Sequence, residues 1–294
     1  MPPVFQFAIR IITYPLSLLP FPVIYMFSNF LGFLIHRVLR YRPEVIRENL
    51  NRVFPEKTSE EVDRITKFYY RYVADMLVEQ IKSFSISEKE AIKRCRAINP
   101  ELTNEYYDKN QSLIMILGHN ENWEWLALSG PAQIKHRLAA IYKPLNDKYL
   151  NKWTTKNRSR FGCLLIPMKE TYSYYESKPK EFTLNAFVAD QSPGNVKNVH
   201  WVDFFGHKTA FLSGPALISI KHNIPIVYCN IRKVKRGYYA VEFEKFVDDP
   251  SKYSPIEITQ KFAHRLENKI LENPTSWLWS HKRWKHKYED QIKE

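Results

Sequence analysis

From residue 98 onward, short apolar runs alternate with stretches of helical periodicity, and few folds accommodate that alternation. The apolar runs occupy 113–117, 138–142, 164–167, 186–189, 224–230 and 238–243; the helical stretches between them include 123–129, 148–160, 213–222 and 255–271. Runs this short, β-branched or aromatic and bounded by polar residues, read as strands; the longer periodic stretches read as helices. Alternation of the two predicts an α/β fold, with a mixed, largely parallel sheet covered by helices. No internal repeat or low-complexity tract interrupts the pattern.

The N-terminal third reads differently. Between Ile11 and Ile35 there is no Lys, Arg, Asp or Glu. Pro22 suits the first turn of a helix running to about Leu39. Within it Val23, Ile24, Tyr25, Met26, Phe27, Phe30, Leu31, Phe33, Leu34 and Ile35 cover nearly every side. A helix apolar all round is buried in lipid or in protein. The first option makes residues 1–42 a membrane-anchoring helical region; the second packs the helix on the chain's own core. Pro15, Pro20 and Pro22 shorten the run, so both spanning and interfacial lodging stay open. Arg37, Arg40 and Arg42 come directly after it, and such a cluster keeps the rest of the chain in the cytoplasm if the segment spans. Residues 43–97 read as a helical region: a short helix over 43–51, a long helix opened by the capping box Thr58/Glu61, and a linker helix over 88–96. Residues 98–294 form the α/β region.

Composition narrows the partners. The net charge is +13 with 44% hydrophobic residues, so the chain can build a core and favours anionic partners. No zinc knuckle, RNP-type pattern or basic tail accompanies the charge, which argues against nucleic acid. The three cysteines, Cys95, Cys163 and Cys229, form no CxxC pair, and no HExxH or other metal-ligand spacing is present. There is no G-x-S-x-G, so a serine nucleophile on an elbow is not indicated. The reading calls for no metal and no cofactor.

The segment GHNENWEW, residues 118–125, follows the first apolar run and places polar groups where α/β sheets bind ligands, at a strand end. On one continuous helix His119 and Glu124 would lie about 140° apart. With His119 in the turn and Glu124 in the helix, the loop brings them together. A neutral imidazole can then take a hydroxyl proton while a carboxylate holds its other nitrogen. Asn122 and nearby backbone N–H groups would orient the loop or face developing charge. On its own the spacing is a weak motif, and a structural histidine is the better reading of it.

Four blocks occur in order: GHNENWEW; AAIYKPLNDKYLNKWTTKNRSRFG; FVADQSPGNVKNVHWVDFFGHKTAFLSGPAL; and PTSWLWSHKRWK. Together with YRPEVIRENLNRVFPEKTSEE they resemble the bacterial lipid A biosynthesis acyltransferases, within the wider HX4D/E group of glycerolipid-type acyltransferases. The resemblance covers nearly the whole chain. It implies transfer of an acyl chain from acyl carrier protein or acyl-CoA to a hydroxyl of a lipid acceptor. It also implies an inner-membrane protein whose active site faces the cytoplasm. His119 takes the base position and Glu124 the partner position. Arg158 and Arg160 match a basic segment that binds phosphate, and Asp190 with Gln191 match an Asp-Gln element that orders the site or binds acceptor. His281 and Arg283 match a basic C-terminal element. Phe204 to Gly206 would line an acyl channel or form a core strand, and Trp277, Trp279 and Trp284 would form an interfacial belt. Glu121 stands where the family commonly has a small residue, which leaves other lipid acceptors open: amino-acid lipids, glycolipids or lysophospholipids. Outside enzymes, the competing class is a non-catalytic basic protein that binds membrane or nucleic acid.

Overall fold

The computed structural model describes residues 3–177 and 180–290, with residues 3–10 described by their backbone alone. The outer ends of the expected 1–42 and 98–294 regions, residues 1–2 and 291–294, lie outside the described residues. The chain begins with α1 (Pro3–Leu18) and α2 (Phe21–Phe33), which runs on as a π-helical turn over Leu34–Val38. Helices α3 (Pro43–Val53), α4 (Ser59–Lys82) and α5 (Glu88–Arg94) follow. The sheet region then reads β1 (Cys95–Ala97), α6 (Glu101–Tyr107), β2 (Leu113–Leu117), α7 (Trp123–Ser129), β3 (Arg137–Tyr142), α8 (Lys148–Arg158), β4 (Leu164–Pro167), α9 (Thr171–Glu176) and β5 (Thr183–Val188). After it come the hairpin β6 (Val199–Phe204) and β7 (His207–Leu212), α10 (Gly214–His222), β8 (Ile226–Lys235), β9 (Tyr238–Val247) and α11 (Pro255–Glu272).

The strand order is β1-β9-β8-β2-β5-β3-β4. Every neighbouring pair is parallel except β8 with β9. This is the mixed, largely parallel sheet that the alternation predicts. β2 is buried along its whole length because both sheet faces are covered. Its residues alternate between two cores. Ile114 and Ile116 face α11 (Phe262, Leu266) and the C-terminal Trp277 and Trp279; Leu113, Met115 and Leu117 face α7 (Trp125, Leu128).

Three local readings are revised. The linker helix stops at Arg94, and Cys95–Ala97 adds an edge strand to β9 instead of a last helical turn. Phe204 ends a core strand, one of the two readings of Phe204 to Gly206, while its pairing with β7 in a hairpin was not legible. Phe204 is fully buried and packs edge-on against Phe211 and Trp277, so it belongs to the core, and Phe205 and Gly206 form the hairpin turn with positive φ. Trp277 and Trp279 are buried and stack edge to face at 4.8 Å, so they do not form an interfacial belt.

The capping box forms as expected: Glu61 N–H donates to Thr58 Oγ1 at 3.3 Å, and Thr58 N–H to Glu61 Oε2 at 2.9 Å. Helix α2 lies along α4 on one side only. Its inner side buries Ile24, Ser28 and Gly32. Ser28 donates to Asp75 (2.7 Å) and Tyr25 to Glu79 (2.7 Å). A Cβ on Gly32 would meet Ala74 Cβ at 3.4 Å, about van der Waals contact, so the two helices pack closely here. Its outer side exposes Met26 (71%), Phe30 (60%) and Phe33 (59%). Phe21–Val38 is 18 residues, long and apolar enough by composition to cross a membrane.

Candidate active site

Strands β2 and β5 are parallel neighbours with Leu117 opposite Val188. His119 and Asp190 each lie two residues beyond those positions, so the sheet itself brings them side by side. Ala189 N–H still donates to Leu117 O at 3.0 Å, which extends the ladder to the site. His119 Nδ1 is hydrogen-bonded to Asp190 Oδ1. Asp190 Oδ2 accepts from the His119 backbone N–H at 2.9 Å and from Trp277 Nε1 at 2.7 Å. The carboxylate is buried, which alone would raise its pKa; the charge of His119 and these donors outweigh burial and hold it at about 2.

An ionised carboxylate can only accept, so Nδ1 carries a proton in either state of the ring, and the neutral ring has its lone pair on Nε2. Gln191 Nε2 stands 3.2 Å from that nitrogen. The Trp123 ring meets the imidazole edge to face at 4.8 Å. His281 fixes the far side of the loop by accepting from Ser192 N–H at 2.8 Å; burial depresses its pKa to about 4, so it does this as a neutral ring. Arg283 is buried, donates to Ala210 O at 2.8 Å and stacks over Phe211 at 4.1 Å. These two residues act as supports behind the site.

The expected partner of His119 is therefore replaced. Glu124, on the first turn of α7, is held by Arg158 from the last turn of α8, through Nε at 2.8 Å and Nη2 at 2.5 Å. Both Glu124 oxygens are engaged there, and the Nδ1 position belongs to Asp190. The reason is register: the His-x4-Glu loop sets Glu124 on the helix, while parallel pairing sets Asp190 on the histidine. Arg158 and Glu124 still face the same cavity as His119 and Gln191. That cavity holds about 370 Å³ and runs down into Met115, Leu117, Leu126, Leu138, Leu165 and Ala186.

Two other expected residues lie elsewhere. Asn122 is the N-cap of α7: its Oδ1 accepts from Trp125 N–H at 3.0 Å and its Nδ2 donates to Glu79 Oε2 at 2.6 Å. It is buried beneath the loop rather than in the cavity. Arg160 turns away to the carbonyls of Phe84 (2.7 Å) and Ile86 and over the Phe161 ring. Glu121, buried and in a left-handed conformation, receives Asn273 Nδ2 at 2.9 Å and points away from the His119 cavity.

Sequence reading missed Glu79, Trp277 as a carboxylate donor, and His281 as a loop clamp. Only the tryptophan density of PTSWLWSHKRWK hinted at the last two. Glu79 is fully buried and accepts from Tyr25, Asn122 and Tyr239, tying α2, the site loop and β9 together. Burial raises its pKa from 4.5 to about 7. The folded state thus keeps a proton that the unfolded chain releases above about pH 4.5. Stability from this group is full below that pH, declines as pH rises toward 7, and is level beyond; the total is about 3 kcal/mol. Denaturant unfolding in detergent from pH 5 to 8 should show a steeper decline in the parent than in Glu79→Gln. Parallel pH curves for the two proteins would contradict the buried, protonated carboxyl.

A histidine held by a buried carboxylate thus stands at the carboxyl ends of adjacent parallel strands of an α/β sheet, beside an apolar-lined cavity. The profile described as bacterial lipid A biosynthesis acyltransferase matches residues 3–286, and the chain belongs to that family. It is 21% identical over 272 residues to the lipid A biosynthesis palmitoleoyltransferase of Escherichia coli strain K12, covering 91% of this chain and 86% of that protein. It is 22% identical over 275 residues to a lipid A biosynthesis acyltransferase of Haemophilus influenzae, with 91% and 86% coverage.

Proposed function

We propose that this protein transfers a fatty acyl chain from an acyl thioester, carried by acyl carrier protein, to a hydroxyl of a lipid A precursor. The observation that carries this reading is the His119 Nε2 lone pair facing an apolar-lined cavity, with Nδ1 held by Asp190. The acceptor hydroxyl displaces the Gln191 amide from Nε2. Nε2 takes the hydroxyl proton as the oxygen attacks the thioester carbonyl. Asp190 stabilises the imidazolium that forms. The C–S bond then breaks, and the imidazolium returns its proton to the departing thiolate. The Gln191 amide, released from the imidazole, lies within reach of the carbonyl oxygen as it gains charge. Glu124 acts through Arg158, holding the guanidinium at the cavity for a phosphate on the donor's pantetheine arm.

The exposed apolar side of α2 supports attachment to the inner membrane, because lipid removes the cost of leaving Met26, Phe30 and Phe33 in water. Arg37, Arg40 and Arg42 at its end favour a cytoplasmic active site. Glu121 points away from the cavity, which removes the main objection to an anionic acceptor there. The test is to incubate membranes containing the protein with acyl carrier protein bearing mixed acyl chains and a lipid A precursor. Mass spectrometry should show one added acyl mass that is absent with His119→Ala. Folded, membrane-bound protein that adds no acyl group to this acceptor would refute the assignment.

A further inference from the structure

Of the two arginines expected to take phosphate, Arg158 is paired with Glu124 at the His119 cavity and Arg160 is turned to backbone carbonyls. A larger basic cavity lies on the opposite side of the 119–122 loop. It holds about 790 Å³ between α2, α4, the end of β8 and the segment after α11. Five cationic side chains line it, Arg37, Lys67, Arg71, Lys233 and Arg236, against the carboxylates Asp75 and Glu121.

The two carboxylates do not neutralise the site. Asp75 is buried and committed to Ser28, Lys233 (3.5 Å) and Arg236 (3.0 Å). Arg236 is fixed further by Asn29 Oδ1 at 2.9 Å. Glu121 is turned to Asn273. Among the described residues, no carboxylate lies within ion-pair distance of Arg37, Lys67 or Arg71. Three exposed cations that line one cavity with no carboxylate partner repel one another, and an anion relieves that repulsion.

Position supplies the second observation. The apolar Phe21–Val38 segment ends at this cavity, and the exposed Phe33 and Phe68 line it beside Arg37 and Lys67. Apolar side chains next to cations, at the end of a helix whose outer side exposes Met26 and Phe30, mark headgroup depth if that helix is attached to the membrane as proposed above. We infer that this cavity binds the phosphate of an anionic amphiphile's headgroup, with Arg37, Lys67 and Arg71 as its ligands and Asp75 fixing Lys233 and Arg236 behind them. The inference does not depend on acyl transfer.

Full-length protein in non-ionic detergent is titrated calorimetrically with dihexanoyl phosphatidic acid, dihexanoyl phosphatidylcholine and inorganic phosphate. Phosphatidic acid should bind saturably. Lys67→Ala/Arg71→Ala, at two exposed positions where folding is not at stake, should weaken it about tenfold or more. The surface control Lys89→Ala/Lys93→Ala should bind like the parent. Competition by inorganic phosphate would show that the phosphate group alone suffices; failure to compete would show that the lipid tail is also needed. Either result supports the site. Unchanged binding in the cavity variant, or equal binding of phosphatidylcholine, would overturn it. In the transfer assay, a raised acceptor KM at constant kcat would assign the site to the acceptor's phosphate. An unchanged KM would assign it to a bilayer lipid.

Discussion

Replacing His119 by Ala is expected to slow acyl transfer by about 10²–10⁴, the range lost when a general base is removed. Asp190→Asn should cost a similar factor, for a reason specific to this site. The Oδ2 position receives two N–H donors, from the His119 backbone and from Trp277. An amide at this position therefore settles with its oxygen there and its NH₂ toward Nδ1. That forces the ring proton onto Nε2 and removes the lone pair that faces the cavity. Steady-state transfer rates give the magnitude, and ¹⁵N NMR of the imidazole gives the tautomer. Asp190→Asn should switch the tautomer, whereas Glu124→Gln should leave it unchanged because Glu124 bonds to Arg158. The opposite pattern would return Glu124 to the histidine.

The second large effect concerns stability. Trp279→Ala should destabilise the protein by about 3–5 kcal/mol, as for truncating any fully buried large aromatic. The indole is completely buried, donates to Pro274 O at 2.6 Å and packs against Trp277 and Phe54. Its backbone carbonyl accepts from Asn49 at 2.7 Å, and Asn49 also holds the His281 carbonyl at 2.8 Å. The segment that carries Trp277 and His281 to the site is thus pinned to α3 through the same residues. Urea unfolding in detergent, followed by tryptophan fluorescence, measures the loss. A change under about 1 kcal/mol would mean that this segment contributes little to the fold.

Much of the architecture was legible because local pattern and local structure agree. The 113–117 run is apolar at every position because a central parallel strand is buried on both faces. The 164–167 strand and the 123–129 helix also formed where the pattern put them. The β6–β7 hairpin escaped notice for a definite reason. Its two-residue turn needs positive φ twice, and Asn-Gly or Asp-Gly usually announces such a turn. Here Phe205 takes the first position at φ 52° beside Gly206 at 72°. β5 begins at Thr183, earlier than the apolar run suggests, because the polar Asn185 interrupts the apolar pattern; it is buried in the strand and donates through Nδ2 to Thr183 Oγ1 at 2.8 Å and Leu113 O at 3.2 Å.

By itself the sequence determined the α/β class, the apolar N-terminal segment, the family blocks and the candidate histidine. All of these rest on spacing within a few turns of chain, or on motif order. Only the tertiary structure decided which carboxylate meets His119. Glu124 is five residues away and Asp190 is 71, yet the nearer acid goes to Arg158. Strand order is not written in local periodicity; it depends on how both faces of the sheet are covered. Once β2 and β5 lie side by side in register, the residues just past their ends must face each other, and that fixed contact outweighs proximity along the chain.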